Sequence, residues 1–199
     1  MKIKTSRFGD LNVENKDILF FSEGILGFEH LKKFFIIDPG DKTLILWLQS
    51  IEDNEVAFPI IEPKIFRPDY IVKLLPAELA SLQLENMTDT KIYSILTIPK
   101  DVINMSANLK APIIINARTN QSRQIVLQDS KLSVKYEMYK ELKKNIVLYS
   151  SDDSKRTNTA LPQKISQDKE TSLKKHPSKQ QDTKTQPTSS NGLNSTLGQ

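Results

Sequence analysis

The side chains with the most obvious capacity for chemistry are acids. Glu52, Asp53, Glu55, Glu62 and Asp69 cluster between Leu44 and Tyr70, with Lys64 and Arg67 among them. Two carboxylates sharing a cleft can hold different pKa values and act as an acid and base pair, which makes a hydrolase one reading. Glu52, Asp53 and Glu55, however, flank a single Asn in a stretch that reads as a hairpin turn. Charges on turns stay in water, so a solvated turn and a binding surface are the other two readings. Beyond the acids the inventory is thin. Of the two histidines, His176 lies far along the chain and His30 sits in Gly27-Phe28-Glu29-His30-Leu31. One His beside one Glu falls short of the three or four ligands a metal site uses, and His30 reads as a surface or loop residue. The absence of cysteine excludes a disulfide framework, a thiolate site and a cysteine nucleophile. No Gly-x-Ser-x-Gly elbow, phosphate-cradling loop or His-Glu-x-x-His helix is present. Gly24-Ile25-Leu26-Gly27 has no following Lys-Ser/Thr, and its simplest task is to shape a loop. The expectation is therefore no catalytic residue, no cofactor and no metal.

The elements that must position these residues read mostly as strands. Lys2 to Phe8 and Leu11 to Val13 flank Gly9-Asp10, a hairpin signal. Short apolar runs follow at Ile18–Phe21, Phe34–Ile37, Leu44–Gln49, Val56–Ile61, Lys91–Ile98, Pro112–Asn116 and Gln124–Gln128. Turn residues separate them; Asp38-Pro39-Gly40-Asp41 is the strongest, because Pro fixes φ and Gly admits positive φ. Many short strands at this spacing predict a mainly β domain, an antiparallel sandwich or barrel. Two helices are expected. One opens at Pro76-Ala77-Glu78-Leu79, with Leu75, Leu79 and Leu82 on one face. The other spans Lys131 to Lys144, where Leu132, Tyr136, Tyr139 and Leu142 recur at helical spacing.

Composition divides the chain of 199 residues. From Ser150 to Gln199 there are six aliphatic side chains and no aromatic one. Such a stretch cannot bury enough apolar surface to offset the entropy of ordering it. The expected organisation is one domain over residues 1–149 and a disordered polar tail over 150–199. Net charge is +4, yet residues 1–130 hold 15 Lys and Arg against 17 Asp and Glu. The positive balance thus comes from the C-terminal segments. The longest clear apolar run, Leu44 to Leu48, has five residues, where a membrane helix needs roughly 20. The N-terminus Met1-Lys2-Ile3-Lys4-Thr5 lacks the apolar run of a secretory signal. A soluble cytoplasmic protein is expected.

Three stretches carry a family resemblance: FSEGILGFEHLKKFFII from Phe21 to Ile37, WLQSIEDNEVAFPIIEPKIFRPDY from Trp47 to Tyr70, and ILTIPKDVINMSANLKAPIIINARTNQSRQIVL from Ile95 to Leu127. In order and spacing they resemble the flagellar assembly factor FliW family, with Ser106 to Ile113 the most characteristic run. The resemblance covers roughly residues 1–130, thins over Lys131 to Tyr149, and implies nothing about the segment beyond Ser150. It implies a compact, barrel-like antiparallel β domain that is not an enzyme. It also implies two partners that exclude each other: CsrA, a small dimeric RNA-binding repressor of translation, and flagellin. Flagellin held in the cytoplasm would occupy the protein and leave CsrA free to repress flagellin mRNA; flagellin export would reverse this.

Within that frame, an acidic surface suits a protein that must silence an RNA-binding partner. It attracts the partner's basic residues and disfavours a nearby phosphate backbone. Glu52, Asp53, Glu55, Glu62 and Asp69 are the candidate CsrA-facing acids, with Phe66 and Tyr70 as apolar anchors. Ile25, Leu26 and Phe28, on the Gly-punctuated loop, are candidates for meeting flagellin; the alternative is that they plug a barrel end. Trp47 reads as core, and Asn108 and Pro112 as turn-shaping residues. The competing reading is a nucleic-acid-binding β-barrel module, motivated by the Lys-rich segment after residue 130 and weakened by the lack of a basic stripe interleaved with aromatics.

Overall fold

The computed structural model describes residues 1–40 and 44–150, with side chains as far as Lys144. The expected disordered tail over 150–199 lies outside the described residues, apart from Ser150 at the end of the last helix. Eleven strands are described: β1 Lys2–Thr5, β2 Gly9–Asn12, β3 Leu19–Phe21, β4 Lys33–Ile37, β5 Leu46–Ser50, β6 Ala57–Ile61, β7 Thr90–Thr97, β8 Ser106–Ala107, β9 Ile113–Asn116, β10 Gln121–Gln124 and β11 Tyr136–Glu137. Two α-helices join them, α1 Pro76–Ser81 and α2 Tyr139–Ser150.

Seven of the strands close a barrel. The order runs β7-β6-β5-β4-β3-β10-β9, and β9 returns to β7 through pairs from Thr90–Asn116 to Tyr93–Ile113. Neighbouring strands are antiparallel except β3 and β10. Closure removes the free edges that an open sheet exposes. The long β7 reaches past β9 to pair with β8, and β8 in turn pairs with β11.

The two-residue period of a strand explains the core. In β4, Phe34 and Ile36 face the barrel interior while Phe35 and Ile37 face outward. Phe21, Leu48, Ile60, Tyr93, Ile113 and Ile115 complete the interior. The outward residues are buried too, because the chain covers them. The β1–β2 hairpin lays Ile3 and Leu11 over Phe35 and Ile37, with Trp47 and Phe8 edge to face at 5.7 Å. On the opposite flank the segment 63–84 and the start of α2 cover Ile61, Leu96 and Ile114. Strands buried on both faces read as near-continuous apolar runs, as Ile113-Ile114-Ile115 does.

Three sequence expectations need correction. The second helix begins at Tyr139 rather than Lys131. Tyr136 pairs with Ala107 in β11, and the Ser133 carbonyl accepts from the Leu109 and Lys110 amides. The spacing of Leu132, Tyr136, Tyr139 and Leu142 thus spans a turn, a strand and a helix that all pack on one outer core. The strand expected at Gln124–Gln128 lies earlier, at Gln121–Gln124, although Ile125 and Leu127 still donate to Pro112 and Lys110. Gly9-Asp10 is not the hairpin turn. The turn is Ser6–Phe8, and Gly9 opens β2 at φ +70 opposite Thr5, whose hydroxyl donates to the Gly9 carbonyl at 2.9 Å.

Candidate functional site

Antiparallel order puts four strand ends on one rim of the barrel. β3 ends at Phe21, β4 begins at Lys33, β5 ends at Ser50 and β6 begins at Ala57. The loop 22–32 and the turn 51–56 therefore leave from the same end. β10 runs parallel to β3 and brings Gln124 there as well.

The turn is organised from beneath. Gln49 is fully buried, and its side-chain amide donates to the Val56 carbonyl at 3.0 Å and the Ser50 carbonyl at 3.1 Å. The Ser50 hydroxyl accepts from the Glu52 and Asp53 amides, both at 3.1 Å. The Asp53 carboxylate accepts from the Glu55 amide at 2.9 Å. These bonds fix the main chain and leave Glu55 exposed at the tip. Glu52 does something else. Its carboxylate accepts from the backbone N–H groups of both Lys32 and Lys33, the latter at 3.0 Å, tying the turn to the end of the glycine loop.

That loop is equally constrained. Phe28 N–H donates to Ile25 C=O at 2.7 Å, closing a turn that needs Gly27 at φ +82. The Glu29 carboxylate accepts from Gly27 N–H at 2.8 Å, which is the main reason its pKa lies below the usual carboxylate value. Gly24 is the point of closest approach, where an added Cβ would lie 2.6 Å from the Glu29 Cα. Ile25 is buried in the barrel end and Phe28 is half-buried, edge to face with Phe58 at 5.1 Å. Leu26 stands at the tip, 55% exposed, with its N–H held by the Gln124 side chain at 3.0 Å. His30 is exposed on the same loop.

The structure thus separates residues that the sequence grouped. Glu52, Asp53 and Glu55 share the rim with Leu26. Glu62 follows the other end of β6, about 16 Å along a strand of five residues at roughly 3.3 Å each. Asp69 lies on the outer flank beside Arg67 at 3.4 Å, whose guanidinium sits over Tyr136. Phe66 and Tyr70 are corrected from surface anchors to core: they are 1% and 3% exposed, and the Tyr70 hydroxyl donates to the Leu109 carbonyl at 2.7 Å. Burial raises the Tyr70 phenol well above its ordinary pKa. Ile25 is likewise corrected to barrel-end packing, at 1% exposed, while Phe28 is only half-buried against Phe58. Sequence reading missed Gln49 and Gln124 as organisers. A lone Gln ending the apolar run Leu44 to Leu48 was the available signal, since a buried polar group must find partners. Asn108 behaves as read, accepting from the Ala111 amide at 2.9 Å; Trp47, expected in the core, is half-buried on the outer face, under Arg7 and against Phe8. Among the described residues, no three His, Asp or Glu side chains converge as metal ligands would, and no helix is long and apolar enough to cross a membrane.

Residues 2–138 match the family model described as FliW protein. A flagellar assembly factor FliW from Bdellovibrio bacteriovorus is 37% identical over 161 residues, covering 81% of this chain and 92% of the relative. The one from Thermoanaerobacter pseudethanolicus is 39% identical over 144 residues, covering 72% and 96%. Among solved structures, a crystal structure of the flagellar assembly factor FliW superposes with a TM-score of 0.66 at 32% identity, covering 70% of this chain and 97% of that one. On these matches, and on a barrel that agrees with them, the chain belongs to the FliW family of flagellar assembly factors.

Proposed function

We propose that this chain works by docking, holding CsrA or flagellin but not both, and carries out no bond chemistry of its own. Family membership supplies the role in flagellar assembly. The observation that carries the docking reading is the rim itself, where exposed Glu55, half-buried Asp53 and exposed Leu26 share one barrel end on backbone held by the buried Gln49 and half-buried Gln124 side chains. A surface ordered before binding loses little entropy on association. The acids suit the basic face of an RNA-binding dimer and speed its encounter. Leu26 suits an amphipathic segment of an unassembled flagellin subunit. The cytoplasmic location follows from those partners.

Glu62 and Asp69 enter this reading only as outlying charges, and Phe66 and Tyr70 as the packing beneath the flank. Glu52 is unsuited to a charge-reversal test, because its carboxylate holds the Lys32 and Lys33 amides. The informative variant is Asp53→Asn with Glu55→Lys, which keeps an acceptor for the Glu55 amide. Stopped-flow association with CsrA should slow about tenfold at low salt, and the salt dependence should flatten. Unchanged rates at low and high salt would remove the acidic rim from the account. Leu26→Ser should weaken flagellin binding while leaving the melting temperature in place. The nucleic-acid reading is separated by a gel shift with non-specific RNA at low salt, where no shift is expected. Turnover of a small molecule by the purified chain would overturn the non-enzymatic reading.

A further inference from the structure

The barrel is held unevenly around its circumference. β3 has three residues and meets each neighbour through two register pairs, Leu19–Phe34 and Phe20–Lys33 on one side, Phe20–Gln121 and Phe21–Ser122 on the other. The second contact is parallel, with slanted bonds that stabilise slightly less per residue. The β6–β7 ladder is as short, but Ile61 and Leu96 bury it beneath the outer core. Among the described residues no such cover lies over β3, whose outward Phe20 is 40% exposed.

Side chains supply what the ladder lacks, and they come from β10 and the turn before it. Asn120, at φ +60, donates from its amide to the Lys16 carbonyl at 2.6 Å and the Ile18 carbonyl at 3.1 Å. Its own carbonyl accepts from Phe20 N–H at 3.0 Å. Arg123 pairs with Glu23 at 2.8 Å and also donates to the Ser81 hydroxyl at 3.0 Å. Gln124 accepts from Leu26 N–H at 3.0 Å and donates to the Ala111 carbonyl at 3.1 Å. The bonds to Lys16, Ile18, Phe20, Glu23 and Leu26 cross one line, from 120–124 to 16–26. The ion pair among them is open to water and screened by salt.

We infer that β3 and the loop 22–31 open from the barrel as one unit, latched by Asn120, Arg123 and Gln124. Segments with short ladders and water-exposed ties open at lower free energy than the rest of a fold. Opening would bare the interior residues Phe21 and Ile115 and free one edge of β10, and it would move Leu26 with the loop. The inference rests on the fold alone. If Leu26 also meets flagellin, the latch sets how the loop is presented.

Hydrogen exchange on the full chain tests it. Amides in peptides covering Leu19–Phe28 should exchange at least about tenfold faster than those in β5 and β6, as a low-energy local opening requires. Arg123→Ala with Gln124→Ala should speed the first set roughly tenfold further and leave the second unchanged; Arg123→Lys should do less. Equal protection of β3 and β5 in the unaltered chain would overturn the proposal without any variant. So would a uniform acceleration of all peptides in the double variant, which signals general destabilisation.

Discussion

Replacing Gly24 and Gly27 by alanine, one at a time, separates two physical costs on one loop. Both glycines hold positive φ, +75 and +82. A residue with a Cβ pays about 1–2 kcal/mol there. At Gly27 nothing else intervenes, since an added Cβ meets no atom within 4 Å. At Gly24 it would lie 2.6 Å from Glu29 Cα and 2.7 Å from Glu29 O, both backbone atoms that cannot swing aside as a side chain end can. Relieving that overlap requires main-chain movement, typically a further 1–3 kcal/mol. The expected losses are thus about 1–2 kcal/mol for Gly27→Ala and about 2–5 kcal/mol for Gly24→Ala. With a urea slope near 2 kcal/mol/M, the Gly24 variant should unfold about 1 M lower than the Gly27 variant. Trp47, the sole tryptophan, packs between the barrel and the N-terminal hairpin and reports the transition by fluorescence. Equal midpoints, or a less stable Gly27 variant, would refute the close-approach argument.

Three further outcomes are expected. Asn116 is fully buried, donates to the Leu82 and Gln83 carbonyls at 3.0 Å, and accepts from the Arg118 amide at 2.9 Å. Asn116→Ala should cost about 3 kcal/mol in urea unfolding, because it strands several buried groups at once. Tyr70→Phe should cost about 1–3 kcal/mol by leaving the Leu109 carbonyl without its donor, read as a drop in melting temperature. Burial, with the Glu62 charge adding to it, pushes the Tyr93 phenol up to about 12. Below about pH 10 both states keep that proton; between about pH 10 and 12 only the unfolded chain releases it. Stability should therefore fall by up to about 1.4 kcal/mol per pH unit across that window, and Tyr93→Phe should flatten the fall in urea midpoints.

Much of the barrel was legible in the sequence because strands buried on both faces leave short continuous apolar runs. Phe34 to Ile37 and Ile113 to Ile115 are apolar on both faces, and they became strands with cores on both sides. What failed was local reading where long-range pairing decides. Tyr136 obeys helical spacing but lies opposite Ala107 in a strand, a partner 29 positions earlier that no window around residue 136 reveals. The site was legible in part for the same reason. A turn such as Glu52 to Glu55 is visible locally, so its acids were found. That Glu52 would reach across to the Lys32 and Lys33 amides depends on β4 lying beside β5. Phe66 and Tyr70 were misplaced because aromatic residues next to charges look alike whether they anchor a partner or seat a flank. Only the packing against Leu109 and Tyr136 distinguishes the two.

The central proposal is that one rim serves two partners in turn. The most direct measurement is displacement: the purified full chain is loaded with CsrA, flagellin monomer is added in steps, and each species is followed by size-exclusion chromatography with light scattering. The account predicts that CsrA leaves as flagellin binds, with no ternary peak at any ratio. A stable complex containing all three proteins, or no complex with either, would contradict it.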